Sequence, residues 1–306
     1  MMLIAVVGAT ATGKSSLAIE LARALDGEVI NADSMQLYRG MDIGTAKVTV
    51  AERHGIPHHL LDIWDVTKTA SAAEYQELAR EVIDGINDRG RRPILVGGSG
   101  LYIRAALDDL TFPGTDPEVR ARLEAQLAAH GSEPLYERLR EQDPEAAAAI
   151  LPSNGRRIVR ALEVIEISDR PFSATMPGYS GGRPAIQLGL TLPRPELDRR
   201  IDERGRRMWD AGFTGEVAEL ELRGLRDGMT ASRALGYAQV LRSLAGEWTD
   251  EFAREETIRA TRRFARRQES WFRRDPRVTW IDAAEPGLAD RALDLIRQGA
   301  GRSAQA

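Results

Sequence analysis

The chain has 306 residues, 42% of them hydrophobic, and a formal net charge of −4, which is enough to bury one large core or two smaller ones. It shows no apolar run of the ~18 residues a membrane span needs, and its apolar start lacks a basic leader and a small-residue cleavage site, so a cytoplasmic protein without membrane contact is expected. Cysteine is absent; disulfides, thiolate catalysis and thiolate zinc sites are excluded, and four histidines are the only nitrogen ligands left for a transition metal.

Leu3 to Val7 reads as a buried parallel strand, and Ser15 to Leu25 carries apolar residues at helical spacing. A second strand is predicted at Glu28 to Ala32. Ser71 and Glu74 have the spacing of a capping box and open a helix to about Asn87. Pro93 to Val96 is a third strand, turning through Gly97-Gly98-Ser99-Gly100 into a helix over Leu101 to Leu107. From Thr111 helices follow alone, starting at Asp116-Pro117, at Asp143-Pro144 and at Arg156. A Gly- and Pro-rich loop, Met176 to Pro184, leads into a strand at Ala185 to Leu192. Long helices then run to Arg273, a short strand falls at Val278 to Ile281, and the tail after Gly299 is expected to be disordered. This order predicts an α/β fold, a parallel sheet wound with helices, interrupted by an all-helical insertion. The boundaries fall at 1–112 and 184–306 for the core and 113–183 for the insertion.

The segment Gly8-Ala9-Thr10-Ala11-Thr12-Gly13-Lys14-Ser15 fits GxxxxGKS, the phosphate-binding loop, and it sits between a strand and a helix as that motif requires. Glycines let successive N–H groups point at a polyphosphate, the helix directs its positive end there, and Lys14 reaches the outer phosphate. Ser15 can hold a magnesium ion. Only three of the 42 basic residues are lysines, so Lys14 is not the chain's default cation.

Asp33 follows the second strand at the edge where parallel sheets bind ligands. It reads as a general base or a magnesium ligand, or else as a helix cap for Ser34 to Tyr38. Ser99, at the tip of the third strand, faces the same edge and could equally cap the helix after it. His58 and His59 are adjacent, a spacing that does not converge on a metal, and read as packing or loop residues. Arg262 to Arg274 holds six arginines against one glutamate, with Phe264, Trp271 and Phe272 interleaved. Such a helix grips phosphates and stacks on unpaired bases, or is a solvated face over a buried aromatic stripe.

Together, GATATGKSSLAIELA, INADSMQLYRGMDIGTAK, PHHLLDI, SAAEYQ, LVGGSGLYIRAAL, RRIVRALEVIEIS, RALGYAQV and RRFARRQESWFRR resemble the tRNA dimethylallyltransferase (IPP transferase) family over residues 3 to about 282. The resemblance implies a P-loop NTPase-like core, dimethylallyl diphosphate as donor and the exocyclic amine of an adenosine beside the anticodon of tRNA as acceptor. It implies that the loop holds a departing diphosphate with Mg2+ on Ser15, that Asp33 takes the amine proton, and that Lys14 and Ser99 assist catalysis. It also places tRNA contacts at Asp33, Ser34, Met35, Gln36 and Ser99, and at Arg120, Arg156, Arg157, Ile158, Val159 and Arg160 in the insertion, which would grip the anticodon stem. Further contacts are implied at Arg233, Gly236 and Tyr237 and at Arg266, Arg267, Gln268, Trp271 and Arg273. Ala9 and Thr12 stand where the family has proline and serine, and Ala9 is expected to loosen the turn.

Three other readings use parts of this pattern. A small-molecule kinase would use the loop for ATP and has no use for the arginine-aromatic helix. A prenyltransferase of free adenine nucleotides would not need the arginines at 156–160 and 266–273. A nucleotide-gated RNA-binding protein would bind without changing the RNA. A monomer is expected, since no amphipathic surface is left unassigned.

Overall fold

The computed structural model describes residues 1–173, 178–179 and 182–303, without the side chains of 301–303. The loop expected at 176–184 therefore lies partly outside the described residues. Six strands form one sheet in which every pair is parallel: β1 (Leu3–Gly8), β2 (Gly27–Asn31), β3 (His58–His59), β4 (Arg92–Gly97), β5 (Ala185–Thr191) and β6 (Val278–Asp282). Their order is β3-β2-β4-β1-β5-β6, with the phosphate-loop strand between β4 and β5. The carboxyl ends of β1, β2 and β4 thus lie side by side and bring the loop, Asp33 and Ser99 to one edge.

His58 and His59 are a two-residue strand paired with Val29 and Ile30, not a loop. Their signal in sequence is too short to read. His59 Nε2 lies 2.6 Å from Glu28 and His58 Nδ1 lies 2.8 Å from the carbonyl of Ile56, so both rings serve the sheet edge.

Helices α1 (Lys14–Ala24), α2 (Ala72–Asp88) and α3 (Gly100–Leu107) follow β1, β3 and β4. Ile4, Val6, Leu17, Leu21, Ile94 and Leu188 are buried together where α1 covers the sheet. Ser71 caps α2 by accepting from the amide of Glu74. Gly8 is required where it is, because its φ is +136° and a Cβ there would lie 2.6 Å from the carbonyl oxygen of Leu190.

The chain divides into two compact units, one of residues 1–107 and 183–306 and one of residues 108–182. The second holds α4 (Pro117–His130), α5 (Glu133–Gln142), α6 (Pro144–Ala149) and α7 (Gly155–Ser168), started by side-chain caps from Asp116, Asp143 and Asn154 at α4, α6 and α7. Its core is aliphatic, built from Leu123, Leu135, Leu139, Ile158 and Leu162. Asp108, Asp143 and Glu163 are the buried carboxylates of this unit among the described residues, and Glu163 is the most completely enclosed. Glu163 takes Arg120 Nε at 3.2 Å and Arg160 Nη1 at 2.8 Å, and also the amide of Asp116, while Arg160 Nη2 donates to the carbonyl of Pro113 at 2.7 Å.

The first unit continues with α8 (Arg194–Asp210), α9 (Phe213–Leu222), α10 (Tyr237–Leu244), α11 (Asp250–Phe272) and α12 (Leu288–Ser303). The expected disorder after Gly299 is overturned for the residues up to Ser303, which remain in α12. Ala292 and Ile296 anchor that helix in the sheet core, and Gly299 lets Ile186 approach. Among the described residues no helix is long and apolar enough to cross a membrane.

Burial alone would push the Glu163 carboxyl up, but the bonds from Arg120 and Arg160 hold it below the usual carboxylate range. Glu163→Gln should therefore destabilise the second unit by about 2 kcal/mol at neutral pH, less than a fully buried pair because both guanidiniums keep solvent contact. A depressed carboxylate contributes stability above its unfolded value, so the difference should shrink as pH falls below about 4. Thermal unfolding of both proteins across that range checks it; equal stability at pH 7 would contradict the assignment.

Candidate active site

The phosphate loop leaves β1 with positive φ at Gly8, Ala11 and Gly13. Ala11, at φ +64°, has no glycine to relieve it, so the turn is held by bonds instead. The carbonyl of Ala9 accepts Thr12 Oγ1 at 2.9 Å and Lys14 Nζ at 2.6 Å. No side chain caps α1 and no acidic residue occupies its first turn, which leaves the amides of that turn open to an anion.

Asp33 stands one residue past the buried end of the sheet core, clamped by Asn31. The Asn31 side chain accepts the amide of Asp33 at 2.9 Å and donates to its carbonyl at 3.0 Å, and the same Nδ2 reaches the carbonyl of Leu60. Asp33 Oδ1 accepts the amide of Met35 at 2.9 Å, a local turn and not a helix cap, because residues 34–37 form turns with no helix. Its second oxygen accepts no hydrogen bond from a described residue. Ser99 likewise does not cap α3 with its side chain. Its hydroxyl turns instead to Ser34, accepting that amide at 3.3 Å, with the two hydroxyls 3.4 Å apart.

Two cations face this carboxylate. Lys14 is lowered to about 8 by burial, with Asp33 pulling it back up and Arg204 pushing it further down. Arg204, on α8, is lowered by burial, opposed by Asp33 and reinforced by Arg207. No ion pair joins any two of the three. Among the described residues Arg204 is held only by neutral acceptors, Thr10 Oγ1 at 3.0 Å and the carbonyl of Thr45 at 3.2 Å. A cleft of about 430 Å³ contains Thr10, Asp33, Ser99 and Arg204 in its wall, together with the apolar side chains of Ile201, Met208, Leu235, Ile258 and Phe264.

A family model described as IPP transferase matches residues 36–275. The chain belongs to the IPP transferase family. A tRNA dimethylallyltransferase of Thermobifida fusca is 66% identical over 298 residues, 96% of this chain and 93% of that protein. One from Streptomyces coelicolor is 65% identical, with 96% of each chain covered. Among solved structures, the full-length tRNA isopentenylpyrophosphate transferase of Bacillus halodurans is 39% identical with a TM-score of 0.72, covering 99% of both chains. A eukaryotic dimethylallyltransferase solved in crystallographic snapshots of its action on tRNA is 26% identical with a TM-score of 0.76, over 93% of this chain and 74% of that one.

In this IPP transferase the cleft gathers Ser34, Met35, Arg233, Tyr237 and Arg267 around Asp33 and Ser99. Gln36 points elsewhere, donating to the carbonyl of Thr45 at 3.1 Å. Several residues expected to touch RNA are committed to the protein. Ile158, Val159 and Tyr237 are buried, and Gln268 is 6% exposed. The apolar pair sits on the packed face of α7, which the RRIVR spacing alone did not separate from its charged face. Arg120 and Arg160 are tied to Glu163, and Arg273 to Glu269 at 2.8 Å. Arg156 is exposed on α7, whereas Arg157 is half-buried. Arg266 and Arg267 are exposed and make no ion pair with a described residue. Gly236 has φ +91° and starts α10, its amide donating to Gln239.

Three residues of the site carried no usable signal in sequence. Arg204 is one of six arginines in α8. Glu216 accepts the amides of Asp42, Ile43 and Gly44 at 3.1, 2.6 and 3.2 Å and the Tyr237 hydroxyl at 2.6 Å, and so fixes the loop that presents Thr45 to Arg204. Asn31 had a weak signal, as an amide ending an apolar strand.

Asparagine at position 33 keeps the oxygen that Met35 needs. Asp33→Asn should therefore unfold within about 0.5 kcal/mol of wild type. A loss above about 2 kcal/mol in chemical denaturation would make Asp33 a structural residue.

Proposed function

We propose that the chain transfers the dimethylallyl group of dimethylallyl diphosphate to the N6 amine of the adenosine on the 3′ side of the anticodon of tRNA. One observation carries the reading: Asp33, with one oxygen that accepts no hydrogen bond from a described residue, lines a partly apolar cleft with Arg204, Lys14 lies within electrostatic reach of both, and neither cation is ion-paired to a described carboxylate. The names of the relatives support tRNA as the acceptor, and no feature of the cleft favours a kinase or a free-nucleotide enzyme.

In this reading the amides at the start of α1 and the cations of Lys14 and Arg204 hold the diphosphate, and the apolar wall takes the five-carbon chain. The allylic C–O bond breaks and its electron pair leaves with the diphosphate. The adenine N6 lone pair forms the new C–N bond, and the N6 proton passes to the free oxygen of Asp33, a step worth about 10²–10⁴-fold in rate. Stabilising the charge that develops on the leaving group is the larger contribution, because both cations are in place before the reaction starts. Ser99 and Ser34 form a hydroxyl pair beside Asp33 that positions the acceptor base.

Magnesium fits the loop. Ser15 stands in the first turn of α1 beside Lys14, and no cluster of three carboxylate or imidazole groups gathers among the described residues. The Ser15 hydroxyl, donor oxygens and water would make up an oxygen shell of the kind magnesium takes. When bound, the ion neutralises the charge of the diphosphate. Arg266, Arg267 and Arg233 offer phosphate contacts on the first unit and Arg156 on the second. The acceptor adenosine lies in a single-stranded loop, so it can leave its stack at low cost.

Incubation with magnesium, dimethylallyl diphosphate and an unmodified tRNA carrying adenosine after the anticodon should add one C5H8 unit to the RNA, read by mass spectrometry. No mass gain, or transfer of phosphate from ATP, would overturn the reading. The diphosphate binds the charged form of Lys14, so donor affinity is complete below the free-enzyme value and declines above it. Donor KM should rise as pH passes about 8, and Lys14→Ala should lose that limb while starting from a higher KM. A wild-type KM flat from about pH 7 to 9.5 would remove Lys14 from the anion site.

A further inference from the structure

The family resemblance implies a place for Gln268 among RNA-contacting side chains, but its geometry assigns it elsewhere. Phe264, Arg267, Gln268 and Trp271 fall at i, i+3, i+4 and i+7 on α11, so they share one face. Phe264 and Arg267 line the cleft, and Trp271 packs against Gly100 at the start of α3. Gln268 is buried between them. Its Oε1 accepts the amide of Thr10 at 2.9 Å and its Nε2 donates to the carbonyl of Gly98 at 2.9 Å. The glycine at 98 is what admits it, since a Cβ there would lie 2.2 Å from Nε2.

Each end of this amide has its backbone partner, so Gln268 has little left to offer a nucleotide. What it does is tie the phosphate loop to the tip of β4. The Thr10 amide is taken out of the ring of N–H groups available to an anion, and the rest of Thr10 is fixed with it. Thr10 Oγ1 is one of the two acceptors that hold Arg204, and Arg204 has no carboxylate to orient it. A loose Thr10 would leave a half-buried guanidinium with a single carbonyl for guidance.

We propose that Gln268 is a positioning residue for the donor end of the reaction: it locks Thr10 between α11 and β4, and Thr10 in turn aims Arg204 at the diphosphate. This rests on the prenyl-transfer reading above. The same helix turn that carries Arg267 into the cleft thereby also sets the phosphate loop, and the two substrates are held by one rigid element.

The test compares wild type, Gln268→Met, Thr10→Val and the double variant, each checked for folding by thermal melting. Donor KM and kcat are measured at saturating tRNA, and tRNA Kd is measured without donor. Gln268→Met should raise donor KM or lower kcat about tenfold, as expected for one or two lost neutral hydrogen bonds, with tRNA Kd changed less than about twofold. Thr10→Val keeps the amide and removes only the hydroxyl that Arg204 uses; it should show the same donor defect. The double variant should be no worse than the more severe single one, because both act through Arg204. A tRNA Kd weakened by Gln268→Met with unchanged donor kinetics would make Gln268 an RNA contact and overturn the proposal, as would fully additive defects. Wild-type donor kinetics in Thr10→Val would overturn it alone, whether or not Gln268→Met folds. Wild-type failure to add C5H8 to tRNA would instead strike the functional reading itself.

Discussion

Two positive charges held without a negative partner govern this structure. Lys14 rests on one carbonyl and Arg204 on a hydroxyl and a carbonyl, while Asp33 attracts both without closing an ion pair on either. Desolvated cations of this kind oppose folding unless something compensates them. A bound diphosphate would supply the missing charge, so the cost of desolvating these cations is offset by an anion and, during the reaction, more fully by the more highly charged leaving group. Had Asp33 paired with Lys14, the carboxylate would be spent as a counter-ion and could not take a proton.

Keeping three charges near each other but apart requires a stiff surround. The parallel sheet brings the carboxyl ends of β1, β2 and β4 together, and each end is then fixed by an uncharged clamp. Asn31 holds the backbone of Asp33, Gln268 joins Thr10 to Gly98, and Ser34 meets Ser99. Glu216 is a carboxylate clamp, and it is used on backbone amides and a tyrosine. Neutral amide clamps suit this task because they fix geometry without altering the net charge of the cleft.

Much of this was legible in the sequence where the signal is local. A strand, a glycine loop and a helix contiguous in the chain announce the anion site, and Asp33 and Ser99 announce themselves as strand-tip residues of the same sheet. The strands, apart from the two-residue β3, and the helical character of residues 117–168 follow from apolar spacing and cap residues. Arg204 was not legible, because its role depends on α8 folding back over the loop and nothing distinguishes it from its arginine neighbours. Gln268 was legible as part of a motif but not in its role: the motif shows which residues recur together, whereas burial and two hydrogen bonds across about 170 and 258 positions of sequence decide what the side chain does. The charge of Arg120 and Arg160 was visible, but the buried Glu163 that absorbs much of it was not.

The account turns on where the anion and the base sit relative to Asp33. The most direct measurement is a crystal structure with the unreactive thiolo analogue of dimethylallyl diphosphate and an unmodified anticodon stem-loop. The account predicts diphosphate oxygens in contact with both Lys14 and Arg204 and the adenine N6 about 3 Å from the Asp33 carboxylate. A diphosphate bound away from Arg204, or an Asp33 paired with Lys14 while the adenine lies elsewhere, would contradict it.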